Sequence, residues 1–303
     1  MKLIYSDNNV LNDISTNVSN YHSGADAFTF EAANDFFYLG QRFAFNQFYM
    51  KFSALNTASS TMSLSYWDGK EWRSAVDIED GTSGFTADGK VMFVPDKQYG
   101  WMKEDTVRNS GVEEITGLGD VTIYDRYWLR VSFDNDLDAD TAIQWIGRLF
   151  ASDDDLYGEY PMFNNTALKT AIEAGKTTYE EQRLRATEVC IDNLITKGII
   201  TNGNQLLNAE ILKTPIVSKT AEIIFTMLGF DEYEDDRKRA RNEYTSRLNK
   251  DIFNVDINDN ALLDDRETNV RPRLNKDIFN VDINDNALLD DRETNVRQGR
   301  MWR

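Results

Sequence analysis

Twenty-five residues near the end of this chain occur twice. RLNKDIFNVDINDNALLDDRETNVR runs from Arg247 to Arg271 and returns unchanged from Arg273 to Arg297, with Pro272 between the copies. A close-packed interior holds one shape per cavity, so a core segment cannot be doubled without a second matching cavity. Extra length at a terminus costs little, and a surface arm tolerates it. Two units are too few for a solenoid, which needs several to bury a continuous core. The doubling therefore predicts an extended docking arm over residues 249–303. Its large apolar side chains are sparse: Ile252, Phe253, Val255, Ile257, Leu262, Leu263 and their second-copy equivalents. They are too few to offset the entropy of ordering, so the arm needs a partner, a metal ion or a neighbouring copy.

Ahead of the arm the pattern changes period once, which predicts an α+β chain. Residues 1–155 read as β. Alternation shows around Phe28 and Phe30, through Phe43, Phe45, Phe48, Met50 and Phe52, and at Met62, Leu64 and Tyr66. It returns at Val91 and Phe93, and YWLRVSF adds Trp128 and Val131. Asp68-Gly69, Asp80-Gly81 and Asp88-Gly89 are pairs that tolerate the positive φ of tight hairpins. Many short antiparallel strands at this spacing predict a two-sheet, jelly-roll-like sandwich.

Residues 160–248 read as a small helical bundle. Thr177-Thr178-Tyr179-Glu180 has the capping-box pattern and predicts a helix that Gly198 ends. Thr214-Pro215 predicts a second start, with the proline at the first helical position, running to Gly229. A third helix from Glu232 to Leu248 is acidic early and basic late, in keeping with its dipole. Its apolar stripe is thin (Tyr233, Ala240, Tyr244, Leu248), which predicts a helix facing solvent or another subunit.

The 303 residues are 41% hydrophobic and 12% aromatic, enough for at least one good core. No apolar run approaches the ~18–20 residues of a membrane helix, and the N-terminal stretch lacks a signal-peptide pattern. The single cysteine, Cys190, fits assembly in a reducing cytoplasm. A net charge of −18 argues against tight nucleic-acid binding, yet suits the wall of a channel through which DNA slides.

Catalytic motifs are sparse. His22, the one histidine, lies in a Ser/Gly-rich stretch far from Cys190 and reads as an exposed loop residue. Cys190 falls within the predicted helix, where a small buried hydrophobe is expected. No Walker loop, GxGxxG in context or HExxH is present. Tyr66, Trp67, Trp72 and Trp101 could form a sugar-stacking platform or fill the sandwich core.

The repeat holds the one constellation with ligand-like spacing. Counting from Asp256, positions 1, 3, 5, 9 and 12 are Asp256, Asn258, Asn260, Asp264 and Glu267; the second copy gives Asp282, Asn284, Asn286, Asp290 and Glu293. Oxygen donors at this EF-hand spacing suit calcium, although position 6 is Ala261 or Ala287 where the motif has glycine. The competing reading is a series of Asn/Asp turns and helix caps.

Two stretches resemble tailed-phage structural proteins. The segment from Tyr66 to Trp101, with its Tyr-Trp-x-Gly-x-x-Trp hairpin, Asp-Gly-Thr turn and Gly-x-Val-x-Phe strand, resembles a β-module of baseplate and neck components. The segment from Asn164 to Leu248 is similar to head–tail connector adaptors, with a Leu-Ile-x-x-Gly-Ile-Ile helix end. This resemblance implies a virion neck protein assembled in the host cytoplasm. It would form a homo-oligomeric ring, twelve copies in that family, between the portal protein and the tail-terminator or other neck proteins. It implies no catalysis and no membrane. A baseplate or tail component, and a glycan-binding sandwich, stay open as alternatives.

Overall fold

The computed structural model describes residues 1–22, 25–96, 98–104, 126–206 and 210–250. Along them run β1 (Lys2–Asp7), β2 (Val10–Asp13), the short α1 (Ser15–Val18), β3 (Asp26–Ala27), β4 (Phe36–Gln41), β5 (Gln47–Ala54) and β6 (Met62–Trp67). There follow β7 (Trp72–Ser74), β8 (Val76–Asp80), β9 (Gly89–Val94), β10 (Lys103–Glu104), β11 (Arg126–Phe133) and β12 (Ala142–Gly147). The helices α2 (Asp153–Glu159), α3 (Thr166–Ile172), α4 (Glu180–Thr196), α5 (Glu210–Leu228) and α6 (Glu234–Lys250) complete the α+β fold.

Two antiparallel sheets enclose the first core. The seven-stranded sheet runs β2-β1-β4-β11-β6-β7 with β10 beside β11, and the five-stranded sheet runs β3-β12-β5-β9-β8. Period-two alternation sends Leu3, Phe37, Leu39, Leu64, Tyr66, Leu129 and Val131 from the first sheet toward Phe48, Met50, Phe52, Val91, Phe93 and Ile143 of the second. Rings dominate this core: Phe30 stacks on Phe37 at 5.3 Å, and Phe85 meets Phe133 edge-on at 4.8 Å. Each such ring removes about 150–250 Å² from water, of order 3–5 kcal/mol on truncation.

Three strand expectations change. Phe43 and Phe45 precede β5, because residues 42–46 carry the chain from one sheet to the other; Ala44 and Phe45 are buried in passing. Phe28 and Phe30 follow a β3 of only two residues and plug the core from a loop. Of the three Asp-Gly pairs, only Gly69 has positive φ (+94°). Gly81 and Gly89 lie against each other instead: a Cβ on Gly89 would collide with the Gly81 carbonyl. Positive φ falls at Ser83, Gly84 and Phe85, in a loop tied by the Asp80 carboxylate, which accepts from Thr82 N and Gly84 N at 2.8 Å each.

A second core is helical, built on Phe163, Tyr179, Ala186, Cys190, Leu194, Leu212, Ile216, Ile224, Phe225, Ala240 and Leu248. Gly198 ends α4 as expected, at φ +66°, with Ile199 N donating to Leu194 O. The capping box does not form at Thr177, since α4 begins at Glu180 and Tyr179 is its N-cap without a side-chain bond. Glu180 is used elsewhere, as described below. A reciprocal box forms at Ser152 and Asp155, opening α2. Pro215 sits inside α5, which starts at Glu210 because fully buried Leu212 draws the earlier turn into the core. The thin stripe of α6 packs within the chain: Ala240, Tyr244 and Leu248 are buried against α5, and the charged face carries i,i+3 and i,i+4 pairs such as Arg237–Glu234 and Arg239–Glu243.

Candidate functional site

The helices meet the outward side chains of the five-stranded sheet through a polar seam. Strand β5 turns Gln47, Tyr49 and Lys51 away from the aromatic core. Gln47 Nε2 donates to Leu206 O at 3.0 Å, and Lys51 pairs with Glu180, whose side chain is 5% exposed. Tyr21 closes the set: its hydroxyl donates to Glu180 at 2.7 Å and takes a bond from Lys51 Nζ at 2.6 Å. Burial, then the Glu180 charge, pushes the Tyr21 and Tyr49 hydroxyls well above the ordinary tyrosine value. Asp88, accepting from Phe52 N at 2.8 Å, is likewise held above the usual carboxylate range by burial and by Glu180.

The seam continues on either side. Arg183 donates to Asp153 at 2.8 Å and to the Ala151 carbonyl, while Asp153 also accepts from Thr178 Oγ1 at 2.6 Å. Arg148 bonds Asn204, whose amide reaches Gln41 Oε1 at 2.8 Å, and a Cβ on Gly203 would strike the Arg148 guanidinium. Lys90 pairs with Glu210 at 2.7 Å. These groups bond mostly to one another and hold the two cores in register, with Gln47 Oε1 and Glu180 Oε1 left without a partner among the described residues.

His22 is exposed, 3.7 Å from Glu181, at the rim of a polar cleft of about 230 Å³ with Tyr21, Lys176 and Thr178. Cys190 is buried in α4, its thiol pushed up to about 12 by burial, so it is inert as a nucleophile. Among the described residues no group of three or more His, Cys, Asp or Glu could hold a metal ion, and no helix is long and apolar enough to cross a membrane.

The tryptophan hairpin is β6–β7. Asp68 accepts from Lys70 N and Glu71 N at 2.8 Å each and pairs with Arg73 at 2.7 Å, which fixes the turn. Tyr66 points into the core, its hydroxyl bonded to the carbonyls of Asp96 and Tyr99 at 3.2 Å. Trp67 points the other way and meets Trp72 at 5.5 Å. Tyr66, Trp67 and Trp101 are at most 5% exposed, so they present no flat platform to a sugar.

All ten proposed calcium ligands (Asp256, Asn258, Asn260, Asp264, Glu267, Asp282, Asn284, Asn286, Asp290 and Glu293) lie outside the described residues. The root of the repeat lies inside them: Arg247 and Leu248 close the third helix as expected, and Asn249 and Lys250, expected in the arm, extend it. Arg247 through Lys250 form the last turn of α6. Arg247 pairs with Glu159 at 2.7 Å and reaches Ser218 Oγ at 3.1 Å, Leu248 is 2% exposed, and Asn249 accepts from Lys197 Nζ at 2.5 Å. The signal for this was present in the chain, since Leu248 continues the Ala240–Tyr244 spacing. No family model matches the chain, and no curated protein matches it.

Proposed function

We propose that this chain is a structural component of a tailed-phage particle, an adaptor subunit that forms a closed ring between portal and tail around the DNA conduit. The observation that carries this reading is the root of the repeat. The first copy enters the described fold at Arg247–Lys250, where Leu248 fills a buried position, and Leu274 of the second copy would need a second cavity of the same shape. Repeated weak contacts to neighbouring copies are a use for a doubled segment that calls for no second cavity. A net charge of −18 lets DNA pass without adhering. The seam supports a rigid body that works by geometry and not by turnover.

Mass photometry of the purified chain should show a closed ring of identical copies, and labelled antibody should mark the neck of intact particles. Deleting Arg273–Gln298 should lower the yield of tailed particles. A chain that stays monomeric at tens of micromolar and labels no part of a virion would overturn the reading. The tryptophan hairpin also suits a baseplate or tail component, which the same labelling would place at the opposite end of the tail.

A further inference from the structure

Where α5 gives way to α6, large apolar side chains stand in water: Phe230 is 53% exposed and Met227 49%. The helix ends at Gly229, in the left-handed region at φ +63°, with Gly229 N donating to Phe225 O at 3.2 Å. A residue following such a glycine commonly folds back onto the last turn, which would put Phe230 on Phe225. Tyr233 takes that place instead, its ring 5.7 Å from that of Phe225, and Phe230 lies beyond it, 6.1 Å from Tyr233. Met227, in the last turn of α5, is held on the α4 side, its sulfur accepting from Gln182 Nε2 at 3.6 Å.

The rim of this face is acidic. Asp231, Glu232, Glu234, Asp235 and Asp236 follow Phe230 before the first basic residue, Arg237. Glu234 is met by Arg237 at 2.8 Å and by Lys238 at 3.6 Å, but among the described residues Asp231, Glu232 and Asp236 pair with no lysine or arginine. The dipole of α6 accounts for acids in its first turn, from Glu234 to Asp236. It does not account for a phenylalanine and a methionine left in water beside them. An exposed apolar face with an acidic rim fits an occupant that is both aromatic and basic.

The chain carries such a segment. Arg297 to Arg303 reads RQGRMWR, three arginines with no acid, and Met301 and Trp302 stand between the last two. The junction of the repeats, Arg271-Pro272-Arg273-Leu274, is basic as well but has no aromatic side chain. The root of the arm and the Phe230 face lie at opposite ends of α6, whose 17 residues span ~25 Å. The stretch from Asp251 to Val296, at up to ~3.3 Å per residue, outruns that distance several times. Covalent connection therefore offers the face its own Trp302 ahead of any other copy's. We propose that the face of Met227, Phe230 and Tyr233 is the docking site for Arg300–Arg303 of the same chain, Trp302 lying against Phe230 while the arginines meet Asp231, Glu232 and Asp236. Both ends of the doubled segment are then fixed on the body that bears it, with the repeats held between. This docking holds whether or not copies close into a ring.

The test uses the full-length chain with two cysteines added, Thr226→Cys next to Met227 and Gln298→Cys next to the basic segment; Cys190 is buried and does not compete. Under mild oxidation a disulfide within one chain should form at least tenfold faster than in a control with Val10→Cys and Gln298→Cys, although Val10 is the more open site at 64% exposure. Trp302→Ser, or Arg300→Gln together with Arg303→Gln, should lower the Thr226→Cys rate at least tenfold and leave the Val10→Cys rate unchanged. Phe230→Ser should do the same. Equal rates at the two sites, or a Thr226→Cys rate that Trp302→Ser leaves unchanged, overturn the docking. The segment variants decide the matter even where Phe230→Ser folds poorly. A disulfide that forms mainly between chains overturns the same-chain occupant.

Discussion

Lys51 and Arg130 both stand on outward faces of the sandwich, Lys51 on the five-stranded sheet and Arg130 on the seven-stranded one. Around Lys51 the fold provides Glu180 from α4 and Tyr21 from the turn after α1, and Glu180 is buried against Lys51 and Tyr21. Around Arg130, among the described residues, stand the rings of Phe36 and Trp72 and no carboxylate. Half-burial lowers the Arg130 pKa by stripping water from the cation, with no carboxylate among the described residues to compensate. One face is thus a finished joint between two cores; the other is chemically incomplete. The contrast shows that a buried cation can be met by a carboxylate on one face and by ring faces on the other.

The largest expected effect tests the finished joint. Glu180→Ala strands Lys51 beside Tyr21 and should cost about 2–4 kcal/mol in urea unfolding, discounted from a fully buried pair because Lys51 keeps some solvent. The double change Lys51→Met with Glu180→Leu should return to within about 1 kcal/mol of wild type; failure to recover would mean the seam needs charge and not merely packing. Next, Gly40→Ala drives a methyl to 2.6 Å from the ring of Trp128, which is fully buried. A loss of about 1–3 kcal/mol with a shifted tryptophan emission is expected. An unchanged melting curve would show that the ring can swing outward.

Arg130→Met should be neutral or stabilising by up to about 1 kcal/mol, opposite in sign to Lys51→Met alone, since it deletes a desolvated cation that has no partner among the described residues. A clear destabilisation would reveal an anion already bound within the chain. The smallest effect is a pH dependence. Asp88 is held above the ordinary carboxylate value, first by burial and then by Glu180. The folded chain therefore grips that proton more tightly than the unfolded chain does. The resulting stability is complete below the unfolded pKa and is lost as pH rises through the folded one. Asp88→Asn cannot ionise, so its stability relative to wild type should climb across that window and level off above it, by about 1 kcal/mol or less. A difference that stays flat with pH would relocate the titration to another group.

Periodicity made the α+β division legible in the sequence, because burial on one face forces a repeat of two in strands and 3.6 in helices. Met62–Tyr66, Val91–Phe93 and the Gly198 stop were readable on that basis. What failed was local pattern overruled by distant partners. Glu180 reads as a capping residue until Lys51, 129 positions away, claims it. Pro215 reads as a helix start until Leu212 pulls the turn before it into the core. Gly81 and Gly89 look like φ > 0 turns, yet what they need is room, Gly89 for the Gly81 carbonyl and Gly81 for the Lys90 backbone. The seam was illegible for the same reason: Tyr21, Lys51, Asp88 and Glu180 have no spacing in common, and nothing in the sequence around Arg130 marks it as stacked between Phe36 and Trp72.

The position of Arg247 within α6 has an evolutionary corollary. Excising Arg247–Pro272 would join Ser246 to Arg273 and restore the same helix end, Arg-Leu-Asn-Lys, letter for letter. Unequal recombination can thus add or remove one 26-residue unit at a time while a leucine always occupies the Leu248 position. The number of units is free to be selected without any change to the helix end that precedes them.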